Sequence, residues 1–164
     1  MKSTEMNAAY LIERISAIRG ENPGKKTVQK LVYLIQANGI DCGYEYGIHF
    51  YGPYSSVLDM QTMVLSASNI ISFDYSSFAH RMHVNSIDEI QSSFDPSQRE
   101  EIDAVITKFK EKSASQLELL TTAHYVFTNT VSCNHQQIID GVEKIKGTKY
   151  SETQIKQAIE ELNI

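Results

Sequence analysis

Tyr44-Glu45-Tyr46-Gly47-Ile48-His49-Phe50-Tyr51-Gly52-Pro53-Tyr54-Ser55 is the stretch on which the fold of this chain turns. Tyr44, Tyr46, Ile48 and Phe50 alternate with polar or small residues, the period-two signature of a half-buried strand. Gly52-Pro53-Tyr54 reads as a turn, since glycine and proline favour tight reversals. Ser55 or Ser56 then caps a helix expected over about 57–68, because a serine side chain accepts from a free first-turn amide.

On the N-terminal side, two helices are expected before the strand. The first, about 7–19, places Ala8, Leu11, Ile12, Ile15 and Ile18 on one face, and Gly20 and Pro23-Gly24 stop it. The second, about 26–38, carries Val28, Leu31, Val32 and Ile35 and ends at Gly39. On the C-terminal side, residues 70–84 read as a β-hairpin. Ile71, Phe73 and Tyr75 line one arm, Phe78, Met82 and Val84 the other, with Ser76-Ser77 between. Helix, helix, strand, helix, hairpin is the layout of a winged helix. Beyond a seam at 86–95, capping signatures at Asp95/Gln98, Ser115/Glu118, Asn134/Gln137 and Ser151/Gln154 predict four more helices. The expected fold is therefore mainly helical α+β: a winged-helix-like module in residues 1–85, with helices of residues 95–164 packed on it as one domain.

Length and charge narrow the function. The 164 residues suffice for one self-stabilising domain. No apolar run reaches the ~18 residues needed to span a bilayer, and no signal peptide is read at the start, so no membrane association and a cytoplasmic location are expected. Fifteen Lys and Arg against 20 Asp and Glu give a net charge of −5. A nucleic-acid binder usually shows a basic domain or stripe. Here the expected reading helix has no Lys or Arg and carries Asp59. The basic residues that could meet phosphates are Lys25, Lys26 and Lys30 by the second helix, and Arg81 on the wing.

Catalytic and metal signatures are missing. The chain contains no Gly-x-Ser-x-Gly elbow and no phosphate-binding glycine loop. His80 and His83, three apart on a strand, face opposite ways, and Cys133-Asn134-His135 offers too few ligands, with His124 on another helix. No enzyme, cofactor or metal is expected. Tyrosine is the informative residue: Tyr33, Tyr44, Tyr46, Tyr51 and Tyr54 cluster around Phe50. Such aromatics serve an interface or pack a strand on the second helix, and both readings stand.

The same residues carry a family likeness. Lys26-Thr27-Val28-Gln29-Lys30-Leu31-Val32-Tyr33-Leu34-Ile35-Gln36 resembles the K-x-Q-K-L-x-Y helix of the SocA-like, or Panacea, antitoxin superfamily. Phe50-Tyr51-Gly52-Pro53-Tyr54-Ser55 with Leu58 is similar to a segment of the related YwgA-like group of bacterial proteins. Leu117 to Tyr125 and Tyr150 to Ile159 are similar to later helices of that group. The resemblance implies a protein that works by binding another protein, as antitoxins bind toxins, and it supplies no catalytic residues. The expected function is a non-enzymatic protein-binding module, antitoxin-like or adaptor, whose partner is a toxin or a second copy. Its surface would be Tyr33, Tyr44, Tyr46, Tyr51 and Tyr54 around a motif turn of Gly52, Pro53 and Ser55. A winged-helix DNA-binding regulator is the alternative.

Overall fold

The computed structural model describes residues 3–164. The chain is a mainly α, α+β protein. Two helices, α1 (Ser3–Arg19) and α2 (Lys25–Ala37), lead into a ribbon of β1 (Gly47–His49) and β2 (Gly52–Tyr54). Helix α3 (Ser56–Ala67), the hairpin of β3 (Ile71–Asp74) and β4 (Arg81–Val84), and a 3-10 turn at Ile87–Glu89 follow. Four helices complete the chain: α4 (Pro96–Phe109), α5 (Ala114–Thr128), α6 (His135–Lys146) and α7 (Glu152–Leu162). Among the described residues, no helix is long and apolar enough to cross a membrane.

Three details depart from the sequence reading. The expected single strand is a ribbon. Ile48 pairs with Pro53 and His49 with Gly52, so Phe50 and Tyr51 form the reversal and Gly52-Pro53-Tyr54 is the return strand. Pro53 is tolerated because the ribbon has only two strands and leaves one edge without a ladder. The hairpin arms are shorter than the alternation suggests. Tyr75 and Phe78 lie in the connecting loop, both exposed, and His80 (φ 47) lies outside β4. Its ring packs edge-on against Tyr75.

The third departure concerns α5. Its capping box is Ser113/Gln116, not Ser115/Glu118. Both pairs satisfy the spacing, but Glu118 is drawn inward by cationic partners, and Gln116 takes the capping role. The boxes at Asp95/Gln98, Asn134/Gln137 and Ser151/Gln154 form as read, each satisfying amides that a helix start leaves open. Ser55 caps α3 by accepting from the Leu58 amide.

The core is continuous along the chain. Leu11, Ile15, Leu31, Ile35, Ile102, Ile106, Leu117 and Ile155 are all fully buried in one cluster. α5 is central to it, packing on α2, β2, α6 and α7, while α4 packs on α1 and α2. The β3–β4 hairpin is tied to the α1–α2 connection: Met82 N–H donates to Pro23 O and Lys25 N–H to Ala79 O.

Candidate functional site

The ribbon and its flanks are bolted to α2 by two glutamines two turns apart and a lysine between them. Gln36 donates to Tyr44 O and accepts from Tyr44 N–H, both at 2.9 Å. One heptad earlier, Gln29 repeats the arrangement with Ser55, donating to its carbonyl and accepting from its N–H at 2.9 Å. An amide side chain is shaped like a peptide unit, so each glutamine substitutes for a missing strand partner. Between them, Lys30 donates to Pro53 O at 2.6 Å, and Tyr46 OH donates to Gln29 O. This explains why a short ribbon, marginal alone, is fixed here.

The five candidate tyrosines therefore separate. Tyr33 and Tyr44 are buried and Tyr46 is half-buried. Tyr33 OH pairs with His124 Nδ1 at 2.9 Å and packs edge-on against Tyr46. Tyr44 OH donates to Gln61 of α3. These three hold the core and are not an exposed surface, and burial holds each phenol well above its ordinary pKa. Burial also lowers the pKa of His124. Tyr51 is exposed beside Phe50 at the ribbon tip, and Tyr54 is half-buried against His49. Burial, and then Asp59, push the Tyr54 phenol up to about 12.

The motif turn is likewise packed into the fold. Ser55 is fully buried, and Gly52 (φ 88) sits against α5. The basic residues also separate. Lys30 is 2% exposed and faces inward. Lys25 pairs with Asp59 at 2.7 Å, and Arg81 is engaged with Asn22 O and Glu21. Lys26 remains exposed, its ammonium over the Tyr51 ring.

Opposite α2 lies a group that the sequence reading missed. Glu118, on α5, is 3% exposed. It accepts from Lys146 at 2.8 Å and also binds Lys149 and Tyr150 OH. Lys146 further donates to Phe50 O at 2.6 Å, so Lys30 and Lys146 grip consecutive parts of the ribbon from two sides. Burial raises the Glu118 pKa, but the hydrogen bonds from Lys146, Lys149 and Tyr150 outweigh it and hold the carboxyl below its ordinary value. Burial lowers the Lys30 ammonium to about 8, with Lys146 and Lys26 adding to the fall and Glu118 opposing it.

The Lys30 shift has a sign that can be tested. The unfolded chain holds this proton up to about pH 10.5, the folded chain only to about 8. Stability contributed at this position therefore rises between those pH values. Compared with Lys30→Met, the wild type should gain stability from pH 8 towards 10, as read by urea denaturation at several pH values. A parallel pair of curves would show that Lys30 titrates normally.

A second feature missed is the outer face of α3. Leu58 and Leu65 point into the core, while Val57, Met60, Met63 and Val64 are exposed, Met60 by 59% and Met63 by 52%. The sequence signal was available: α3 is apolar on both faces, which a helix with one covered side does not need. Asp59 does not break the stripe, because its carboxylate is turned aside to Lys25.

Cys133 lies against Asn134 O and His135 against Ile164 O. Among the described residues, no group of three His, Cys, Asp or Glu side chains is placed to hold a metal ion. No protein-family model matches this chain, and no curated protein matches it significantly.

Proposed function

We propose that this chain is a non-enzymatic protein-binding module acting in the cytoplasm, of the winged-helix-like, Panacea-related kind its motifs resemble, and that it holds its partner on α3. The observation that carries this reading is the exposed stripe of Val57, Met60, Met63 and Val64 on a helix that has no Lys or Arg. Methionine is flexible and polarisable, and suits surfaces that repack against a partner. In a DNA-reading module the same helix would need Arg, Lys, Asn or Gln towards the bases. Lys25 and Arg81, which could meet a phosphate backbone, weigh against nucleic acid as well, since Asp59 and Glu21 already answer their charge.

The test is a tagged pull-down from the source cell at about 150 mM salt, where exposed charges are screened beyond ~8 Å. A stoichiometric protein should co-purify with the wild type and be lost from Met60→Asp, whose affinity should fall by about 30-fold or more, the ~2 kcal/mol of a hot spot. The variant should fold, because an exposed position costs within about 0.5 kcal/mol. A partner retained on Met60→Asp, or nucleic acid that leaves as salt rises, would sink the reading. Concentration-dependent sedimentation abolished by the same substitution would identify the partner as a second copy.

A further inference from the structure

Lysines converge beside the ribbon in greater number than the carboxylate there can balance. Two adjoining clefts, of about 270 and 240 Å³, share Lys26, Lys30 and Tyr51 as a common wall. Lys149 and Glu118 line the second, and Lys146 stands behind Glu118. Four lysines against one glutamate leave a local charge of +3, in a chain whose net charge is −5. Lys25 and Asp59, at the far side of the first cleft, cancel each other. Both Glu118 oxygens are already engaged, one with Lys146 and the other with Lys149 and Tyr150. Lys30 carries three ammonium protons, is 2% exposed, and has Pro53 O as its acceptor among the described residues. The first turn of α5, Ala114 and Ser115, closes the second cleft. Ser113 caps the Gln116 amide, the amides of Ala114 and Ser115 before it have no intrahelical partners, and the helix dipole adds to the positive field.

The geometry points to an anion site between α2, the ribbon tip and the start of α5, whose ligand is a small phosphomonoester. Lys26 and Lys149 flank the phosphate, Lys30 forms the floor, and the organic part enters the neighbouring cleft beside His49 and Tyr54. Phosphate is favoured over carboxylate on two grounds. Its charge of about −1.5 to −2 answers the local excess better than a single negative charge. The lining cations are lysines, with no arginine fork to grip a planar carboxylate. A recessed cleft of this size also suits a terminal phosphate better than the continuous backbone of a nucleic acid.

The site does not include the exposed Val57, Met60, Met63 and Val64 stripe, and its test is separate. Inorganic phosphate is titrated into the full chain by calorimetry, against chloride at matched ionic strength, with acetate and a short DNA duplex as further arms. Phosphate should bind, and Lys26→Gln and Lys149→Gln should each weaken it about tenfold, the effect of one lost charge-assisted contact. Met60→Asp should leave it unchanged. Both substituted lysines are exposed, so folding should persist, and circular dichroism verifies it. No binding above chloride, affinity unchanged in the lysine variants, acetate as tight as phosphate, or DNA tighter than phosphate would each overturn the assignment.

Discussion

Glu118→Ala should destabilise the fold by about 3–5 kcal/mol, the range for removing one member of a buried ion pair. The reason lies in what remains. Lys146, with a side chain 5% exposed, would keep Phe50 O but lose its counter-charge, and Tyr150 OH would lose one acceptor. The Coulombic support that Glu118 gives to Lys30 would also go. At ~2–4 °C per kcal/mol for a chain of this size, the melting temperature should fall by roughly 6–20 °C. Glu118→Gln preserves the shape and should recover little, because the lost quantity is charge. Pairing Glu118→Leu with Lys146→Met should recover more, since well-packed apolar replacements of buried pairs are often neutral or better. The pH profile supplies a second readout. The folded carboxyl titrates below its unfolded value of 4.5. Its contribution is complete above that value and lost as pH falls through the folded value, so the acid limb should flatten in Glu118→Gln. A loss under ~1 kcal/mol in urea denaturation would mean that the lysines relax into solvent.

Gly52→Ala should cost about 2–5 kcal/mol, for two separable reasons. Gly52 adopts φ 88, where a side chain costs ~1–2 kcal/mol. A Cβ there would also lie 2.9 Å from Thr122 Oγ1 and 3.3 Å from Glu118 Cγ, and such overpacking typically costs ~1–3 kcal/mol. Among the described residues, buried Thr122 Oγ1 has no hydrogen-bond partner, so its removal is cheap. Gly52→Ala with Thr122→Ala should regain the steric part and keep the dihedral part, a coupling of about 1–3 kcal/mol in a double-mutant cycle. Strict additivity would show that α5 moves aside.

The regular elements were legible because local chemistry dictates them. The apolar stripes of α1 and α2 and three of the four C-terminal capping boxes need only residues close in sequence. The ribbon was misread by one element, because Gly52-Pro53 is turn chemistry locally, and only α2 supplies the glutamines that hold it as a strand. The candidate surface was misjudged for a related reason. Alternation shows that Tyr44 and Tyr46 share a face, but what covers that face is α2 and α3. Glu118 satisfies a capping spacing with Ser115, which hides its role in the sequence. Its lysine partners lie 28 and 31 residues further on, and no local pattern connects them. Met60 and Met63 were present in the sequence as surplus apolar residues, and their exposure follows once Leu58 and Leu65 claim the core.

The placement of α5 has a consequence for how the chain is made. Residues emerge from the ribosome at about 5–20 per second, N-terminus first. α2 begins at Lys25, and the helix that covers it ends at Thr128, roughly a hundred residues later. For about 5–20 seconds the nascent chain therefore presents α2's apolar stripe, the ribbon and the ammonium of Lys30 without their cover. Newly made chains truncated before α5 should be captured by holding chaperones and degraded, and slowing translation beyond the β3–β4 hairpin should lower the yield of folded protein.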